Sequence, residues 1–220
     1  MVEILYEDNH LIAAYKKSGQ TVQPEPGKPL SLEDEVKSYI KQAYQKEGAV
    51  FLGVIHRLDM PVEGLVLFAR TSKALARMNE LFQKREIDKE YEAWVENKPT
   101  ESSATLVHWL KRDENKNFTK AFTSIVKGAD ESKLSYQVIS QKGRFTLLRI
   151  KLYTGRKHQI RAQLSAHGHP IVGDRKYGSN YVFANGSIAL QSCLLAFLHP
   201  VKNEPISIQT KGLEKFLLPK

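Results

Sequence analysis

The spacing of apolar and polar positions changes period several times along the chain, and each change marks an element. Residues 2–15 hold two short apolar runs on either side of the turn-forming Glu7-Asp8-Asn9, which predicts a pair of strands. The Pro- and Gly-rich stretch 19–29 reads as a loop. Ser31, with Asp34 three residues on, has the spacing of a capping box. Val36, Ile40 and Tyr44 then recur at helical intervals, so a helix with one packed face is expected up to Gly48. Residues 51–55 and 64–68 are continuously apolar and rich in β-branched side chains, the signature of buried strands, and the segment HRLDMPVE connects them. Thr71 or Ser72 then caps a second helix, whose stripe is Leu75, Met78, Leu81 and Phe82 and whose end is the basic Lys84-Arg85.

From residue 88 to 96 the pattern alternates strictly. Tyr91, Ala93 and Val95 share one strand face, and Glu90, Glu92, Trp94 and Glu96 share the other, so Tyr91 is expected with the apolar set. Further alternating runs at 106–110, 134–139 and 145–153, separated by polar turns, predict a largely antiparallel sheet, with the charged stretch 111–120 as a hairpin tip. Thr154-Gly155 makes a turn and residues 157–167 read as a helix. The sequence shows no internal repeat, low-complexity tract or domain linker, and one α+β domain over residues 1–220 is the simplest reading.

Composition narrows the class. A chain of 220 residues with 41% hydrophobic content can bury a full core. Its 33 Lys and Arg against 24 Asp and Glu, a net charge of +9, favour a polyanionic partner, nucleic acid first. Cys193 is the sole cysteine, which excludes an internal disulfide and a Cys-rich zinc site and suits a reducing cytoplasm. Glu3, Glu7 and Asp8 stand where a signal peptide would be basic and then apolar, and no run approaches the roughly 18 apolar residues of a membrane span. A cytoplasmic protein with no membrane partner is expected.

Two constellations carry candidate chemistry. Asp59 stands in the short link between the buried strands, with His56 and Arg57 just before it. An Asp ahead of a Pro-containing turn commonly bonds its own backbone. Held between buried strands, it is also a carboxylate with little access to bulk water, which a neighbouring guanidinium would keep ionised as a nucleophile or base. Arg156, Lys157, His158 and Arg161 cluster at a strand-to-helix junction, which reads equally as a phosphate site and as a solvated basic surface. Arg161, between Ile160 and Leu164, has the setting of a partly buried ion-pair partner. Kinase, G-x-S-x-G, H-E-x-x-H and P-loop patterns are absent. His167, His169 and Cys193 lack paired ligand spacing, so no metal is expected.

Taken together, three stretches resemble the pseudouridine synthases of the RluA type: DNHLIAAYKKSG; GVIHRLDMPVEGLVLFART followed by KEYEAWV; and TGRKHQIRAQLSAHGHPIVGDRKYG followed by LAFLHP. The resemblance implies the pseudouridine synthase catalytic fold, a central, largely antiparallel mixed β-sheet flanked by helices and loops around an active-site cleft. It implies an enzyme that converts uridine in tRNA or rRNA to pseudouridine by breaking the N1–C1′ bond, turning the base and rejoining it through C5. Asp59 matches the family's catalytic aspartate, Tyr91 its active-site tyrosine against the target base, and Arg161 the basic residue that pairs with the aspartate. A flipped-out uridine is implied, with Arg57 filling the vacated stack or holding a phosphate. Further RNA contacts are expected from His56, Arg156, Lys157, His158, Gln159, Lys16 and Lys17. No cofactor is implied, and the chain looks like a short, monomeric member with no S4-type domain.

The chain departs from the family pattern at Val62-Glu63 (Thr-Ser), Met60 (Arg), Lys17 (Pro after the lysine) and Gln191 (His). Glu63 reads as peripheral, because a second, water-activating carboxylate would defeat recapture of the detached base. Two other readings are a non-catalytic RNA-binding or RNA-chaperone protein that keeps the fold, and an RNA glycosidase. The first is opposed by intact Asp59, Tyr91 and Arg161, the second by the lack of a paired carboxylate.

Overall fold

A computed structural model describes residues 2–219. In chain order the elements are β1 (Ile4–Glu7), β2 (Leu11–Lys16), α1 (Leu32–Ala43), β3 (Gly53–Val54), β4 (Glu63–Ala69), α2 (Ser72–Lys84), β5 (Asp88–Glu96) and β6 (Ser103–Asp113). There follow β7 (Phe118–Phe122), β8 (Asp130–Lys142), β9 (Phe145–Leu152), α3 (Gln159–Ala166), β10 (Leu190–Leu198) and β11 (Pro205–Gln209). This is an α+β chain of antiparallel strands with three α-helices. It forms two compact units, one from the residues up to Asp88 with Ser192–Lys211, the other from Lys89–Gln191 with the residues from Gly212.

In the first unit the strands lie in the order β1-β2-β4-β10, with β11 on β10 and β3 on β4. The central strand β2 pairs antiparallel to β4, Ile12 opposite Phe68 and Lys16 opposite Gly64. One face of this pair packs Leu11, Ala13, Leu65 and Leu67 against Ala74 and Met78 of α2, with Leu75, Leu81 and Phe82 at the margin, so the expected helix stripe is core. Each fully buried Leu or Met there contributes about 2 kcal/mol of transfer free energy. The capping box is present: Ser31 Oγ accepts from Asp34 N (3.2 Å) and Asp34 Oδ2 from Ser31 N (3.1 Å). Helix α1 stops at Ala43, short of Gly48. Tyr44 turns outward, donates its hydroxyl to Glu7 (2.8 Å) and lies under the Arg70 guanidinium, and Gln45 takes φ 49°. The strand expected at 51–55 pairs only at Gly53 and Val54, and Phe51 is half exposed.

In the second unit the order is β5-β9-β8-β6-β7, antiparallel throughout, with α3 packed on β6 and β7. The turn joining β6 to β7 is the expected hairpin tip. Alternation places Tyr91 opposite Ile150, but the acidic face of β5 is buried rather than solvated: Glu92, Trp94 and Glu96 are 2%, 2% and 5% exposed. Remote segments cover it. Glu92 accepts from Leu213 N (2.6 Å), Trp94 Nε1 donates to Leu213 O (2.8 Å), and Glu96 accepts from Asn180 N (2.9 Å). Satisfied in this way, the carboxylates avoid the cost of unpaired burial.

Candidate active site

The Asp59 segment is fixed at several points within the first unit. Val62 N donates to Asp59 O (3.0 Å), closing the turn Asp59-Met60-Pro61-Val62, and Leu58 and Val62 are buried on either side. Gly19 N donates to Met60 O (2.8 Å) and Ser18 Oγ to Pro61 O (3.0 Å). The end of β2 supplies the strongest clamp. Lys16 is fully buried, and its Nζ donates to Met60 O (3.0 Å), Lys17 O (3.0 Å) and Gln20 O (2.7 Å), one acceptor for each ammonium proton. His56 fixes the start of the link: its Nε2 accepts from Leu67 N (3.0 Å) and its ring stacks on Phe82. Asp59 is half buried and Arg57 exposed, with its guanidinium 3.5 Å from Gln23 Oε1.

Burial pushes the Lys16 ammonium down to about 8, while the negative fields of Asp59 and Glu63 work in the opposite direction. At neutral pH the lysine is therefore charged and lies in the field of both carboxylates. Glu63 itself is raised by burial, which a hydrogen bond from Tyr15 and the Lys16 charge only partly offset.

The second unit holds the other expected residues. Tyr91 is half buried on β5. Arg161 on α3 is buried and grips Asp174 with two hydrogen bonds, Nε to Oδ2 (2.7 Å) and Nη2 to Oδ1 (2.9 Å), with its guanidinium over the Tyr177 ring. Such a planar fork fixes orientation as well as charge. The Tyr177 hydroxyl accepts from Thr119 N (2.9 Å) and meets His158 Nδ1 (2.8 Å), and burial raises its pKa, so it stays protonated. Asp174 and Tyr177 belong to the short 3-10 turn within GDRKYG, bounded by Gly173 and Gly178 at φ 91° and 94°. Within GDRKYG the pattern alone assigns neither side chain a role. The Asp-x-x-Tyr spacing between glycines is the signal it carried.

The basic cluster divides. Arg156 and Lys157 are exposed, with Arg156 3.5 Å from Asp130. His158 and Gln159 are 8% and 3% exposed and hold the strand-to-helix turn together. Gln159 Oε1 accepts from Thr154 Oγ1 (2.8 Å) and Arg156 N (3.0 Å), and its amide donates to Lys133 O (3.1 Å). Of the expected RNA contacts, Lys16, His158 and Gln159 are buried and engaged with backbone or with neighbouring side chains. A long cation at a strand end and a His-Gln pair ahead of a helix read as surface in sequence, but each has inward partners that meet its hydrogen-bonding needs. Among the described residues no group of three or more His, Cys, Asp or Glu stands close enough to hold a metal ion, and no helix is long and apolar enough to cross a membrane.

Residues 10–166, which carry both the Asp59 segment and α3, match the family model described as RNA pseudouridylate synthase. The chain belongs to that family. It is 32% identical over 206 residues to the dual-specificity RNA pseudouridine synthase RluA of Vibrio cholerae, an alignment covering 90% of this chain and 78% of that relative. It is 27% identical over 229 residues to tRNA pseudouridine synthase C of Pectobacterium carotovorum, covering 96% of this chain but 59% of that longer relative. Among solved structures, human RNA pseudouridylate synthase domain containing 4 superposes with a TM-score of 0.78 at 22% identity, over 97% of this chain and 90% of that one. The fold is therefore that of the pseudouridine synthases.

Proposed function

We propose that the protein isomerises specific uridines in tRNA or rRNA to pseudouridine, with Asp59, Tyr91 and Arg161 as its catalytic set. The observation that carries this reading is the clamped turn at Asp59 within a chain of the pseudouridylate synthase family. Cleavage of N1–C1′ develops oxocarbenium character at C1′. A half-buried carboxylate on a rigid turn can stabilise that charge, attack C1′, or take the 2′ proton. Rigidity matters because a displacement of about 1 Å costs about a hundredfold in rate. Tyr91 lies against the base and assists loss of the C5 proton, and Arg161, oriented by Asp174, is the basic partner of the aspartate. The target nucleotide flips out of its stack, at a cost of a few kcal/mol, to reach these groups. Arg57, Arg156 and Lys157 are the exposed cations for the RNA backbone, and the protein acts in the cytoplasm as a monomer.

The test uses RNA carrying tritium at uracil C5. Tritium release that requires Asp59 and is lost in Asp59→Asn, with no free uracil, is the expected result. Free uracil would indicate a glycosidase. Absence of release from any cellular RNA would refute the enzymatic reading in favour of an RNA-binding protein that keeps the fold.

A further inference from the structure

Between the end of β2 and the start of α1 the first unit contains a cavity of about 260 Å³. Lys17, Ser18, Gln20, Thr21 and Lys28 bring polar groups to its wall, Pro29 and Leu30 form the apolar part, and no carboxylate lines it. Two wall residues are bonded directly to the candidate catalytic turn: Gly19 N donates to Met60 O and Ser18 Oγ to Pro61 O. A third wall position, Gln20, is held through its carbonyl by Lys16 Nζ, the same ammonium that holds Met60 O. The cavity and the Asp59 turn thus share one backbone framework. Thr21, 8% exposed, carries a hydroxyl with no hydrogen-bond partner, an uncommon condition for a buried polar atom in a finished fold.

Two acids at the start of α1 are engaged elsewhere, and Asp59 does not line the cavity. In the first turn of α1, Glu33 is bonded to Lys37 (2.6 Å) and Asp34 to Ser31. Glu25 is exposed on the adjoining turn and is not part of the wall. Two exposed ammonium groups, a serine and an unsatisfied hydroxyl around a carboxylate-free cavity are the chemistry of a phosphodiester site.

We infer that this cavity binds a backbone phosphate of the RNA, that of a nucleotide flanking the target uridine, with Lys17 and Lys28 as its charge contacts and Thr21 as a hydroxyl contact. The inference rests on the RNA substrate proposed above and adds a subsite to it. By holding the strand next to the turn that bears Asp59, the cavity contributes to register, that is, to which uridine of a loop is presented.

The experiment measures equilibrium binding of a short uridine-containing RNA to the full chain carrying Asp59→Asn, over a series of salt concentrations. Lys17→Met with Lys28→Met, and separately Thr21→Val, are compared with Lys73→Met, an exposed lysine of α2 outside the cavity. Each lost phosphate contact on single-stranded RNA lowers the salt slope by about 0.7 and weakens binding about fivefold at 0.1 M salt. The double lysine variant is expected to show a shallower slope and at least that loss, and Thr21→Val a weaker affinity with the slope intact, while Lys73→Met matches the parent. A double variant with the parent's slope and affinity, or one no different from Lys73→Met, overturns the inference. Failure of the isomerase reading is recognised separately: it is absence of tritium release from the Asp59-intact protein, whatever the salt slopes show.

Discussion

Replacing Lys16 with methionine separates a buried clamp from a surface charge. The substitution keeps the side chain's length and removes the three donors to Lys17 O, Gln20 O and Met60 O. A buried carbonyl left unpaired costs about 1.5 kcal/mol, so the three together cost about 5 kcal/mol. Against this stands the relief of a buried charge: a fall from 10.5 to about 8 corresponds to about 3 kcal/mol of penalty on the ammonium. The net loss of stability at pH 7 is about 2 kcal/mol. Because the folded pKa lies below the unfolded one, the unfolded chain holds more protons between pH 8 and 10.5, and wild-type stability rises with pH across that window relative to the variant. The wild type's advantage over Lys16→Met should therefore grow from about 2 kcal/mol at pH 7 to about 4 kcal/mol at pH 10. Paired urea denaturations at successive pH values measure this, and taking the difference removes the other titrating groups. On RNA, loss of the Met60 anchor should lower kcat by about tenfold with KM little changed. A stability difference that stays flat with pH, or a defect confined to KM and salt dependence, would refute the clamp and return Lys16 to the role of a surface phosphate contact.

Three further outcomes follow from the same geometry. Burial acts to raise the Asp8 carboxyl, but the His10 and Leu11 N–H groups (2.8 Å each), with Lys202 and Tyr6, hold it well below the usual carboxylate range. It contributes stability above about pH 4 that is lost as the pH falls further, so acid unfolding of Asp8→Asn should begin from a lower plateau and show a shallower pH dependence in circular dichroism titrations. Asp174→Asn removes the buried carboxylate that the Arg161 guanidinium grips and should cost about 3 kcal/mol in chemical denaturation; a loss below about 1 kcal/mol would show that the pair does not act as a buried unit. Gly173→Ala forces a Cβ to 2.6 Å from Phe183 and 2.9 Å from the Ser187 carbonyl at φ 91°, and a drop of about 3 kcal/mol is expected by thermal unfolding.

What the sequence disclosed and what it hid divide along a physical line. The Ser31–Asp34 cap, the stripe ending at Phe82 and the β6–β7 hairpin depend on neighbours a few residues away, so their pattern is complete within a short window. The buried face of β5 is not. Glu92 and Glu96 alternate like solvated residues, and only partners from 213 and 179–180, more than 80 positions downstream, make them interior. Lys16 lies between these cases. Strand parity puts it on the same face as the fully buried Ile12 and Ala14, so its direction was readable, but the three carbonyls that make an inward ammonium tolerable were not. The same holds at the second constellation, where Arg161 carried the setting of a buried ion pair but the identity of its Asp174 partner depended on how the GDRKYG turn folds back. In both places a buried cation turns inward and is held by partners that its own stretch of sequence does not name. The cations proposed above to meet phosphate, Lys17, Lys28, Arg57, Arg156 and Lys157, are all exposed. Mutating an inward cation should therefore change kcat and stability, and mutating an outward one should change KM and salt slope. That partition follows from burial rather than from residue type.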